Sequence, residues 1–113
     1  MRVAVASDDG KSIQQHFGRT SRFLIYEIDG LGARFIEWRE NEPSCNPARR
    51  LHSEARLAQS VDLISDCRAV LAAQIGSAAQ DSLNRNRITP LEVTGLIDTV
   101  LSRLSRNVHI IAS

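Results

Sequence analysis

Asp29-Gly30-Leu31-Gly32 separates the runs "RFLIYEI" (22–28) and "ARFIEWRE" (33–40), and it limits the fold more sharply than any other stretch. Asp-Gly tolerates positive φ at both central positions of a tight turn, so the flanking runs are expected to fold back as an antiparallel hairpin. "RVAVAS" at 2–7 is apolar on alternate positions and between them, as in a strand covered on both faces, and "SDDGKS" after it is turn chemistry. In the third run Ile36 and Trp38 alternate with Glu37 and Arg39, which predicts a wetter face and an edge position.

From "NEPSCNP" onward the pattern turns helical. Asn46 reads as an N-cap and Pro47 as the first residue of a helix reaching Ser60 or Ile64, with Leu51, Ala55, Ala58 and Val61 on one stripe widened by Leu57 and Ile64. "DCRAVLAA" (66–73) predicts a short buried strand. Gly76 and a Ser77-x-x-Gln80 capping box open a second helix ending near 84–86. "RITPLEV" (87–93) predicts a weaker strand that Pro90 confines to an edge or bulge. A last helix, 95–106, is expected to bury Leu96, Val100, Leu101 and Leu104, and the apolar tail 107–113 is left as strand, partner contact or disorder. Strands joined by tight turns pair antiparallel, while strands separated by helices pair parallel. The expectation is therefore one α/β domain over 1–113: three-layer α/β/α with a mixed five-stranded sheet.

The 113 residues suffice to bury roughly 65% of the unfolded surface without disulfides or structural metal. A formal charge of +1 gives no dominant attraction to nucleic acid or membrane. Cys45 and Cys67 form neither a CxxC pair nor a disulfide framework, no apolar run approaches the ~20 residues of a membrane span, and the start does not read as a signal peptide. A cytoplasmic location is expected.

Ligands of such folds collect at strand ends and helix N-termini. His16-Phe17-Gly18-Arg19 falls in the loop after the first strand. A neutral imidazole ligates metals, Gly18 allows close approach and Arg19 adds a fixed cation, although a turn with a packed Phe and a solvated His fits the same residues. Cys45 precedes the expected helix, where the dipole favours thiolate, and Arg49, His52 and Arg56 would line one helical face. Two arginines in a first turn oppose the dipole, a defect that a bound anion would relieve, although a solvated arginine face is the plain alternative. Gly76-Ser77 forms a strand-to-helix junction suited to an anion or simply to a cap, and Cys67 reads as a core residue. Asp8 and Asp9, with Glu27 or Asp66 recruited, sketch a two-metal nuclease, and a GxSxG elbow is missing.

"MRVAVASDDG…IQQHFGRTSRFLIYEI", "DCRAVLAAQIG" and "L…ITPLEV" together resemble the nitrogenase iron-molybdenum cofactor carrier family, with its NifX and NafY type proteins and the C-terminal domain of NifB. The resemblance covers residues 1 to about 104. It implies an RNase H-like fold of the dinitrogenase cofactor-binding type, without the nuclease's acids. It also implies a non-enzymatic role in nitrogen fixation: transient binding of the iron-molybdenum cofactor or an iron-sulfur precursor. The expected ligands are His16 and Cys45, within a site of Phe17, Gly18, Arg19, Arg49, His52 and Gly76. Partners would be nitrogenase or cofactor-assembly proteins, with a homodimer left open. A metal-free anion-binding or regulatory module on the same scaffold is the first rival, and the nuclease is the second.

Overall fold

A computed structural model describes residues 1–43 and 54–107 and the backbone of 45–46 and 51–52. In chain order the elements are β1 (Arg2–Ala6), β2 (Ser12–Ile13), β3 (Arg22–Asp29), β4 (Gly32–Glu40), β5 (Cys45–Asn46), β6 (Leu51–His52), α1 (Glu54–Leu63), β7 (Ala69–Ala72), α2 (Ser77–Arg85), β8 (Thr89–Glu92), β9 (Gly95–Leu96) and α3 (Ile97–Arg106). The main sheet has five strands in the order β4-β3-β1-β7-β8. β1 pairs antiparallel with β3, Val5 opposite Leu24, and parallel with β7, Val3 opposite Ala69. β3 and β4 form the expected hairpin, and β8 lies parallel to β7 with Pro90 on the far edge.

Period-2 alternation divides the core into two layers. Ala4, Ala6, Phe23, Ile25, Val70 and Ala72 pack with Val61 and Ile64 from the α1 end and with Ala79 and Leu83 of α2. Val3, Val5, Leu24, Ile28 and Leu71 pack under Ile97, Val100 and Leu101 of α3. Each large apolar side chain so buried contributes roughly 1.5–3 kcal/mol, so both layers are needed.

Several local expectations change. α1 begins at Glu54, not Pro47, because Cys45–Asn46 pair antiparallel with Leu51–His52. Asn46 is thus a strand residue rather than an N-cap, and helix formation waits for an acid that suits the dipole at a first turn. Ala55 and Ala58 are exposed, and the buried stripe of α1 is Ser60-Val61, with Leu57 half-buried. α2 starts where expected, but Gly76 caps it without a side-chain hydrogen bond, and Gln80 Nε2 donates to the Ile75 carbonyl at 2.8 Å, so the capping box is not made. Leu96 is exposed in the β2–β9 pair, and Ile97 takes its place in the core.

A bulge where Ile25 faces Glu37 and Tyr26 faces Phe35 leaves Ile36 as the extra residue of β4. Ile36 therefore packs toward α1 and α2, while Trp38, opposite Leu24, stands on the α3 side. The two residues do not share a face as the alternation suggested. The tail 108–113 lies outside the described residues.

Candidate functional site

The C-terminal ends of β1, β4, β7 and β8 and the start of β3 lie at one end of the sheet, so the connections that carry most of the predicted site residues gather there. The segment leaving β1 is first closed on itself. Ser7 is fully buried, and its hydroxyl donates to Asp9 Oδ1 at 3.0 Å. Asp9 also accepts from the Lys11 and Ser12 amides, each at 2.9 Å, and from Ser12 Oγ at 2.8 Å. Those hydrogen bonds, the backbone amides first, hold its carboxyl well below the usual carboxylate range. Asp9 is the staple of this turn.

The chain then runs beside the end of β7. The Ala73 amide donates to Gln15 O, the Phe17 amide to Gln74 O, both at 2.9 Å, and His16 bridges Gln74 in parallel register. Arg19 and Thr20 amides close a turn onto the His16 carbonyl at 3.0 and 3.1 Å. Phe17 is fully buried, with its ring centroid 5.6 Å from that of Phe23. It anchors the loop from below and leaves the set of ligand-contacting residues. His16, Gly18 and Arg19 remain at the surface, His16 and Gly18 half-buried and Arg19 exposed. Neither ring nitrogen of His16 bonds another described residue. The imidazole sits on a backbone fixed on both sides, with no described residue bonded to its ring, an arrangement open to a dative bond.

β7 leads into α2 through Gly76, which is exposed, with open space around a Cβ placed there. Glu92, closing β8, accepts from the Ile75 amide at 3.0 Å and from Gln80 Nε2 at 3.3 Å. An anion at this helix start would face that carboxylate, which weakens a metal-free anion site on Gly76-Ser77. The sequence reading missed Glu92. Its signal was an acid ending a strand that adjoins a Gly-Ser helix start.

Of the three residues expected on one helical face, only Arg56 lies on a described helix. Arg49 lies outside the described residues, and His52 belongs to β6 rather than to a helix. Arg56 is on α1 and pairs with Glu42 at 3.2 Å. Cys45 is likewise a strand residue with no helix dipole behind it, and the register sets it opposite His52. Cys67 is buried, its thiol pushed up to about 12 by burial first and by Asp66 second, so it behaves as a core residue. The acids of the nuclease reading are dispersed. Asp9 is committed to its turn, Asp8 accepts from Ser21 Oγ at 3.0 Å, and Asp66 pairs with Arg2 and Arg39. Glu27 faces Arg2 at 3.6 Å. No three metal-ligating side chains converge among the described residues, and none of the described helices is long and apolar enough to cross a membrane.

Fold and site together define a mixed α/β domain that, among its described residues, presents one imidazole without a hydrogen-bond partner at the end of its sheet. The chain belongs to the dinitrogenase iron-molybdenum cofactor family, whose sequence model matches residues 1–107. It is 33% identical over 103 residues to the FeMo cofactor biosynthesis protein NifB of Frankia alni, covering 90% of this chain and 20% of that protein. Protein NifX of Rhodobacter capsulatus is 28% identical over 93 residues, 81% of this chain and 58% of that one. The crystal structure of PH0822 superposes with a TM-score of 0.73 at 27% identity, covering 95% of this chain and 90% of the other. The chain thus spans about a fifth of the NifB protein that it matches.

Proposed function

We propose that this chain is a non-enzymatic carrier in iron-molybdenum cofactor assembly, binding the cofactor or an iron-sulfur precursor as cargo and releasing it to a recipient protein. Family membership supports the cargo class. The observation that carries the reading is the imidazole of His16, half-buried, without a hydrogen-bond partner among the described residues, on a loop pinned to β7 and anchored by Phe17.

A neutral imidazole forms one dative bond to an iron, strong enough to seat a cluster and weak enough to exchange. Arg19 is an exposed cation three residues on, suited to offset the charge of an anionic cluster. Cys45, opposite His52 where the chain has left β4, supplies a second, softer donor type for the same cargo. Arg49 and His52 complete the site in this reading, and Gly76 borders it by leaving open space rather than by binding charge. The carrier works in the cytoplasm as one binding domain, delivers to nitrogenase or to assembly proteins, and involves neither nucleic acid nor membrane.

The test is anaerobic incubation with isolated iron-molybdenum cofactor, removal of unbound cluster, and measurement of visible absorption and iron per chain. The wild-type chain should retain colour and His16→Ala should lose it, whereas Asp8→Asn should behave as wild type. Equal retention by His16→Ala would end the proposal.

A further inference from the structure

The turn that carries His16 is also held from outside. Thr20, whose amide closes the turn on the His16 carbonyl at 3.1 Å, is fully buried, and its hydroxyl donates to the Arg22 carbonyl at 2.6 Å. Its own carbonyl accepts from Asn41 Nδ2 at 2.9 Å. On the other side of the same carboxamide, Asn41 Oδ1 accepts from the hydroxyl of Ser60, a buried residue of α1, at 2.7 Å. The Asn41 amide donates to the Ser21 carbonyl at 2.9 Å. One half-buried side chain therefore joins three parts of the chain: the His16 turn, the end of β4 and α1.

The residue type is constrained at both ends. The Thr20 carbonyl can only accept, and the Ser60 hydroxyl donates, so the bridging group needs a donor and an acceptor on one short stem. A carboxamide supplies both. Aspartate has the shape but sets an oxygen against the Thr20 carbonyl, and leucine would leave both partners unpaired in a buried place. Such bonds add little net stability, because water competes for the same groups in the unfolded chain. What a satisfied network fixes is one arrangement.

The place of Asn41 in the chain gives that arrangement its use. Asn41 precedes β5 with Cys45, and α1 follows β6 with His52. Both stems of the segment that carries Cys45 and His52 are thus tied, through one carboxamide, to the turn that carries His16. We infer, resting on the carrier reading of His16, that Asn41 is a positioning residue of the cargo site. Its carboxamide fixes the His16 turn against β4 and α1, and so sets where the imidazole stands relative to the segment that carries Cys45.

Asn41→Asp keeps the shape and the acceptor for Ser60 but loses the donor to Thr20. Ser105→Ala is the matched control: on α3 it removes one side-chain hydrogen bond to a carbonyl, that of Asp29 at the opposite end of β3. Amide hydrogen exchange should show Arg19 and Thr20, which close on His16, losing protection in Asn41→Asp and keeping it in Ser105→Ala. Anaerobic titration with isolated iron-molybdenum cofactor should give an affinity about 10–100-fold weaker in Asn41→Asp, as for partners that orient a metal ligand, and unchanged in Ser105→Ala. Global unfolding does not produce such a loss, since apparent affinity falls only by the fraction of competent chains, and circular dichroism reports whether the variant is folded. Should Asn41→Asp not fold, Ser60→Ala, which frees the carboxamide on one side, should lose affinity in the same direction. Unchanged exchange at Arg19 and Thr20 would overturn the inference, as would an equal loss of affinity in Ser105→Ala. If the wild-type chain binds through His16 and Asn41→Asp binds equally well, the inference fails and the carrier reading stands. A wild-type chain that takes up no cofactor would overturn both.

Discussion

At the end of the sheet where β1, β7 and β8 begin, charged side chains are committed to one another, and at the end where those strands finish, one polar ring has no partner among the described residues. Arg2 holds Asp66 at 2.8 Å, and Arg39 grips the same carboxylate with both terminal nitrogens at 2.6 and 2.9 Å while donating to the Leu63 carbonyl. At the far end Asp9 and Glu92 are equally well satisfied, but among the described residues His16 is held through its backbone and not its ring. A satisfied charge network serves the fold. A partly buried donor atom with no internal partner, on a rigid backbone, is available for something outside the chain. The contrast predicts that stability and cargo binding respond to different residues.

Phe17 is the residue on which both properties depend, and the largest effect is expected there. Phe17→Ala removes a fully buried ring that touches Phe23, and should destabilise the chain by about 3–5 kcal/mol in denaturant unfolding. That is a large share of the total for a domain of this size, about 5–15 kcal/mol. Cargo retention should fall with it, because the loop loses its anchor. A variant of normal stability that fails to bind would instead place Phe17 at the ligand surface.

The next effect tests the committed end. Arg39→Met leaves Asp66 with Arg2 and the weak Cys67 thiol donor and frees the Leu63 carbonyl, and should cost about 1–2 kcal/mol without changing cargo retention. The Asp66 carboxyl is held well below its ordinary range, chiefly by its hydrogen bonds to Arg39 and then to Arg2. A carboxylate with a depressed folded-state pKa adds stability that is complete above the unfolded value of about 3.9 and fades as pH falls below it. Stability measured from neutral pH downward should therefore drop along an acid limb, and Asp66→Asn should flatten that limb while lowering the plateau. An unchanged acid limb in Asp66→Asn would mean that the pairing is too solvated to matter.

The comparison also shows what could be read in advance. The chain order of the main elements and the hairpin were legible because turn residues and short apolar runs act locally. His16 was legible as a candidate, but the role of Phe17 was not: whether a turn Phe is packed depends on the pairing with Gln74, nearly sixty residues away in sequence. The start of α1 was misread because Asn46-Pro47 imitates a cap worth only about 1 kcal/mol, which a backbone pairing between 45–46 and 51–52 outweighs. Starting at Glu54 also exchanges two first-turn arginines for an acid. The bulge at Ile36 is a one-residue insertion, which no alternation pattern announces and which moves one side chain to the other face.

A smaller effect of opposite sign is expected where α2 ends. The Arg87 and Ile88 amides donate to the Asn84 and Leu83 carbonyls at 3.1 and 2.9 Å, the pattern of a helix C-terminus that normally takes glycine. Arg87 adopts φ of 62° there and is exposed. Arg87→Gly relieves the left-handed strain and gives back part of the gain as unfolded-state entropy, so it should stabilise by about 0.5–1 kcal/mol. A loss of stability would show that the guanidinium makes a contact worth more than the strain.

The smallest expected change in stability belongs to His16→Ala. With no ring hydrogen bond to another described residue and a half-exposed position, the imidazole contributes little to the fold, and the unfolding midpoint should shift by no more than about 0.5 kcal/mol equivalent. The backbone bonds from Phe17, Arg19 and Thr20 remain available to alanine, so the loop should keep its path. A near-silent stability change beside a complete loss of cargo is the outcome that separates a ligand from a packing residue. Destabilisation beyond 1–2 kcal/mol, the size expected of Arg39→Met, would move His16 into the same class as the committed side chains at the other end of the sheet and remove the physical basis for treating it as a donor.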